Sequence, residues 1–209
     1  MWFAWVVIAL IVFSAVISLA WRWGSRKWSL PCPTLLAWSL ENSRFQRIAG
    51  TTITLDRMDL RPGQRILEIG PGPGRLLIPA AQRILPNGEA VGIDIQAGMI
   101  DRLQARARQA NVTNLTAILG DATQPYVPEA SFDRVFLCTA LGEVPDRDAV
   151  LNQAFRALKP GGLLCVTEKF GDPHYQSRST VTRLTEKAGF RQQSIDGGWW
   201  FFTANFVKP

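Results

Sequence analysis

The sequence predicts an α/β protein. Its core is a mostly parallel, seven-stranded sheet with an antiparallel last strand, preceded by a single N-terminal transmembrane helix. Three observations carry this prediction. After Pro62-Gly63, short apolar runs alternate with segments of helical periodicity. That alternation implies parallel strands covered on both faces. The chain closes on two apolar stretches around Gly197-Gly198, a hairpin pattern. It opens on 20 residues, Trp2 to Trp21, without a charge.

At about 1.5 Å per residue, a helix of that length spans roughly 30 Å, the thickness of a bilayer's hydrocarbon core. Trp2 and Trp5 mark one end of the run, and Trp21, Trp23 and Trp28 the other, as interfacial belts do. Arg22, Arg26 and Lys27 follow, which places the C-terminal side in the cytoplasm. Ser18-Leu19-Ala20 has the small-x-small form of a signal cleavage site. No basic region precedes the run, however, and it exceeds the usual signal-peptide core. The expectation is therefore an uncleaved, single-pass anchor in the cell membrane over 1–27.

Residues 28–59 read as a linker followed by amphipathic and cap helices. One helix is expected over 34–48, lying on the membrane or over the domain, and a second over 51–58. The main domain then covers 60–209. Strands are expected over 65–69, 90–94, 115–119, 134–138 and 163–167, with hairpin arms over 190–195 and 199–207. Helices are expected over 75–84, 99–110, 147–158 and 180–188.

Composition excludes several classes. The 209 residues are 47% hydrophobic and 19% charged, too apolar for a disordered chain. Three cysteines do not make a disulfide scaffold. The net charge is +6, but residues 1–27 hold three cations and no acid. The remainder, with 20 bases and 17 acids, gives no case for a nucleic-acid partner. No His/Cys cluster has metal-ligand spacing.

The strongest chemical signal is Ile66-Leu67-Glu68-Ile69-Gly70-Pro71-Gly72-Pro73-Gly74, a strand entering a glycine-rich turn before a helix. Such a turn lets a ligand approach the backbone. A dinucleotide fingerprint would need glycine where Arg75 stands, and a Walker loop would need Gly-Lys. Asp94 ends the next strand, where a carboxylate can accept ribose hydroxyls. Asp121 follows the third strand and suits the exocyclic amine of adenine. Any one of these acids alone is an ordinary loop residue. All three, with Glu68, fall at carboxyl ends of strands, where open α/β sheets bind ligands.

These residues resemble the class I S-adenosylmethionine-dependent methyltransferases, over about 60–209. ILEIGPGPG is similar to their first motif and VGIDIQ to their second. GDATQPYVPEASFDRVFL is similar to the stretch leading into strand four, and LKPGGLL to the turn before strand five. The resemblance implies a Rossmann-like fold with S-adenosyl-L-methionine as cofactor. It implies that Gly70, Pro71, Gly72 and Gly74 let the methionine part approach, with Glu68 ordering the loop or meeting the amino group. Asp94 with Ile95 would take the ribose, and Asp121 with Ala122 the adenine. Cys138 and Thr139, ending strand four, complete the cofactor-binding set.

The acceptor side is expected in two segments. Glu143, after strand four, can orient an amine or accept its proton, or is a surface acid ahead of a helix. His174, the one histidine, falls in the loop after strand five, and an imidazole is a common general base. Both are candidate catalytic residues. Cys165, like Cys138, lies in an apolar strand pattern, and Cys32 lies close to the expected membrane. The anchor directs the expected activity toward a small, membrane-resident acceptor, a phospholipid amine or a quinone precursor. The alternatives are a non-catalytic cofactor-binding membrane scaffold and a protein methyltransferase.

Overall fold

A computed structural model describes residues 50–209 throughout and, of the first 49, only scattered positions between Trp2 and Gly24. Those scattered positions are helical. The expected span over 2–21 lies partly outside the described residues, and the expected helix over 34–48 and Cys32 wholly so. Among the described residues, no helix is long and apolar enough to cross a membrane.

The strands are β1 (Arg65–Ile69), β2 (Glu89–Asp94), β3 (Leu115–Leu119), β4 (Phe132–Cys138), β5 (Leu158–Lys169), β6 (Arg191–Gly198) and β7 (Phe201–Val207). They form one sheet in the order β3-β2-β1-β4-β5-β7-β6. The first five are parallel, and β7 runs antiparallel to both β5 and β6. The order reverses on either side of β1, so a crevice opens between the carboxyl ends of β1 and β4.

Within residues 50–209 the helices are α1 (Thr51–Asp56), α2 (Leu77–Arg83), α3 (Ala97–Gln109), α4 (Arg147–Ala157) and α5 (Arg178–Lys187). Alternation along the strands divides the core. On β4, Phe136 packs with Leu55, Leu77 and Leu103 of α1, α2 and α3. Its neighbours Val135 and Leu137 pack with Leu151 of α4 and Val181 and Leu184 of α5 on the other face. Two helices have side-chain caps, Asp146 accepting from Ala149 N–H and Ser177 from Thr180 N–H.

α1 is short, and helices of its length do not persist alone. Its C-terminal end is fastened to the sheet by side chains. Arg134 of β4 donates to the carbonyls of Met58 and Asp59 and to the Asp59 carboxylate, at 3.1–3.2 Å. Asn205 of β7 donates to the Arg57 carbonyl at 2.9 Å.

Two boundaries differ most from the sequence reading. β5 starts at Leu158, because Leu158 pairs with Phe132 across an irregularity that absorbs Pro160-Gly161-Gly162. The hairpin turn falls on Trp199-Trp200, not on Gly197-Gly198, since Gly198 already pairs with Phe201. Gly197 is required inside the strand: φ is +106°, and a Cβ there would collide with the Phe201 carbonyl.

Candidate active site

A cavity of about 300 Å³ occupies the crevice at the carboxyl edge. Glu68, Gly70, Pro71, Gly72, Asp94, Ile95, Asp121, Ala122, Cys138 and Thr139 all line it, as does Glu143. Gly74 does not. A Cβ on Gly74 would collide with Leu103 Cδ1 and stand 2.9 Å from Ile78 Cδ1, so this glycine serves helix packing. His174 is also off the wall, its residue only 4% exposed. Its backbone carbonyl packs against Gly142, where no Cβ would fit, and accepts from Gln176 Nε2 at 2.7 Å. The loop that supplies His174 thus packs beside the strand-four turn, and Asp172 is the member of that loop on the cavity wall.

The acids are held by backbone donors. Asp94 accepts from Gly72 N–H at 3.0 Å and from Gln96 N–H at 2.9 Å, tying the glycine loop to the end of β2. Burial nonetheless raises its carboxyl above the ordinary value. Asp121 accepts from Thr123 N–H at 3.0 Å in a side-chain turn. Thr139 holds φ at +54°, a strained value for a β-branched residue. Its N–H donates to the Thr167 carbonyl and its hydroxyl to the Cys138 carbonyl, both at 2.8 Å.

Sequence reasoning missed Arg75 as part of this wall. Its guanidinium donates to Thr51 Oγ1 at 3.2 Å and to Cys138 Sγ at 2.9 Å. Cys138 is therefore an acceptor on the cavity wall, whereas Cys165 is core, its thiol pushed by burial up to about 12. Burial also pushes Glu68 up to about 8, against the opposing pull of Arg75 and with a further push from Asp94. Glu68 Oε2 is buried and has no hydrogen-bond partner among the described residues.

That orphaned oxygen tests what the cavity can hold. The described wall carries five acids and one arginine, and Glu68 waits for a donor. The set fits a cationic ligand with an ammonium group and a hydroxyl-bearing sugar. S-adenosylmethionine is such a ligand.

Glu168, one residue before the end of β5, is 1% exposed and does not line the cavity. Its Oε2 accepts from Gln176 N–H at 3.2 Å, and its Oε1 has no hydrogen-bond partner among the described residues. Burial pushes its carboxyl from 4.5 up to about 8, with Asp172 and Glu143 pushing the same way. Between those values the folded chain keeps a proton that the unfolded chain has lost, so stability falls as pH rises through this window. Glu168→Gln fixes the neutral form. Its gain in Tm over the parent is expected to grow from pH 5 to pH 8 and then level off, on the values for Glu168. Thermal unfolding across that range checks this; a difference that does not change with pH contradicts it.

Comparison with known proteins agrees with this geometry. Residues 66–162 match the family described as a methyltransferase domain. Nocamycin O-methyltransferase of Saccharothrix syringae is 38% identical over 113 residues, 54% of this chain and 40% of that protein. Demethylmenaquinone methyltransferase of a Geobacillus species is 30% identical over 156 residues, 75% of this chain and 58% of that protein. The chain therefore spans roughly two to three fifths of the length of these relatives. A S-adenosylmethionine-dependent methyltransferase from Aquifex aeolicus has the same fold, with a TM-score of 0.79 at 17% identity, covering 86% of this chain and all of that one. The fold and the sequence match over 66–162 are similar to those of S-adenosylmethionine-dependent methyltransferase domains, and the cavity fits their cofactor. S-adenosylmethionine is the cofactor of that class.

Proposed function

We propose that the chain is a membrane-anchored methyltransferase acting on a small, lipid-like acceptor at the cytoplasmic face. The observation that carries this reading is the cavity itself: an orphaned Glu68 oxygen at the cofactor end, and Glu143 and Asp172 on the same wall. When bound, the cofactor supplies a methyl group already activated by its sulfonium. In this reading Glu68 accepts from the ammonium group, Asp94 from the ribose hydroxyls and Asp121 from the adenine amine. Glu143 and Asp172 orient the acceptor and take its proton where one must leave. The remaining work is positioning the nucleophile in line with the methyl group.

Two acceptors fit. The acids of the wall favour a phospholipid amine, and the demethylmenaquinone relative favours a quinone precursor. The anchor reading is supported by the uncharged 20-residue run and the cations that follow it. It is also supported by exposed apolar side chains at the described helical positions, Trp5, Phe13 and Leu19 among them.

Transfer of labelled methyl from S-adenosylmethionine to a total membrane extract tests the function. Label is expected in the organic phase, and the labelled product distinguishes amine from quinone. Label in protein refutes the lipid acceptor, and no transfer under any condition leaves a binding scaffold.

A further inference from the structure

We propose that the tip of the β6–β7 hairpin, with Phe170 beside it, docks on the surface of a lipid bilayer. The proposal rests on the membrane-anchored reading above and adds a second contact, made by the folded domain.

Strand direction places the tip. β7 runs antiparallel to β5, and Phe201 at its start pairs with Lys169 at the end of β5. The turn Trp199-Trp200 therefore stands at the carboxyl edge of the sheet, the edge that holds the cavity. The tip is built rather than loose. Phe170 N–H donates to the Trp200 carbonyl at 2.7 Å, and the Tyr175 hydroxyl donates to the Trp199 carbonyl. The Phe170 ring meets Trp199 edge-on, with centroids 5.1 Å apart. Yet Trp199 is 65% exposed, Trp200 60% and Phe170 46%.

Two indoles, Trp199 and Trp200, held in a fixed frame and left in water form an apolar patch of the kind that marks an interaction surface. Indoles suit the bilayer interface, where the ring is buried and the N–H stays wet. The path of the chain selects lipid over protein. The described chain enters the domain at Gly50, with φ +74°, where a Cβ would stand 2.8 Å from Phe201 Cζ. The segment carrying the uncharged run thus joins the domain beside the residue that follows Trp200. A tether at this edge brings the aromatic tip to the membrane. The cavity gains from that orientation. Asp172, on its wall, lies two residues beyond Phe170, and its N–H donates to the Lys169 carbonyl at 2.9 Å. A lipid acceptor then reaches the acidic end of the cavity without crossing bulk water.

The test uses the full chain reconstituted in phosphatidylcholine vesicles, with and without brominated acyl chains. Emission from the tip is isolated by subtracting the spectrum of a Trp199→Phe/Trp200→Phe variant, which keeps aromatic rings at two exposed positions. Flotation of the vesicles is scored in parallel. The chain is expected to float, and brominated lipid to remove about half or more of the difference emission, as for interfacial indoles. Flotation with unquenched difference emission overturns the docking surface and leaves the anchor standing. Failure to float overturns the anchor and, with it, this proposal. Shielding of the tip from aqueous acrylamide without quenching by brominated lipid assigns the patch to a protein contact and also overturns it.

Discussion

Replacing Asp94 by alanine is expected to raise the dissociation constant for S-adenosylmethionine by about 100-fold, on the strength of hydrogen bonds to a charged acceptor. The carboxylate has two roles. Its Oδ2 and Oδ1 accept from Gly72 and Gln96, which holds the glycine loop against the end of β2. Asp94 also lines the cavity, where the sugar hydroxyls of the cofactor are expected. Alanine removes both the acceptor and the tie. Stability changes less than affinity. The two freed N–H groups are only partly buried, and the substitution also removes a carboxylate that burial disfavours. Titration calorimetry with S-adenosylmethionine measures the effect. An unchanged dissociation constant would show that Asp94 serves the loop alone.

Two glycines of the same loop are expected to fail in different ways. In Gly74→Ala, the new Cβ adopts φ +82° and collides with Leu103, which is fully buried. Backbone strain of about 1 kcal/mol and overpacking of about 1–3 kcal/mol add up to a loss of roughly 2–4 kcal/mol. For a chain of this size that is a fall in Tm of about 10 °C. In Gly72→Ala, φ is +54° and nothing stands within 4 Å of the new Cβ. Stability should fall by only about 1 kcal/mol. Because Gly72 lines the cavity, affinity for the cofactor should fall instead. Thermal melts and cofactor titrations on the two variants separate these outcomes. Equal melting temperatures would mean that the Leu103 contact relaxes freely.

The parts legible in the sequence are those fixed by local pattern. β1 and β3 fall where their apolar runs place them, because each is a short run bounded by turn residues. The acids at strand ends were legible for the same reason: a strand's carboxyl end is a position in sequence as much as in space. Features set by pairing between distant segments were not. Pro160-Gly161-Gly162 reads as a turn but lies within β5, because Phe132 supplies a partner for Leu158. Gly197-Gly198 reads as the hairpin turn but lies within β6, where the Phe201 carbonyl requires a residue without a side chain. Side-chain direction was equally out of reach. His174 has the right chemistry in the right loop, yet it is buried and does not line the cavity, while Asp172 does. Arg75 was read only as a missing glycine. Its bonds to Thr51 and Cys138 link segments far apart in the chain.

The fastening of α1 has a thermodynamic consequence. A helix of six residues has no stability of its own to lose, so it cannot melt as an independent step. Its carbonyl end is held by Arg134 from the centre of the sheet and Asn205 from β7. Freeing it would strand a buried guanidinium, a cost comparable to that of opening the strands themselves. Among the described residues, the smallest unit that unfolds as one therefore includes residues 50–59 as well as the strands, and this short segment acquires the opening free energy of the whole domain.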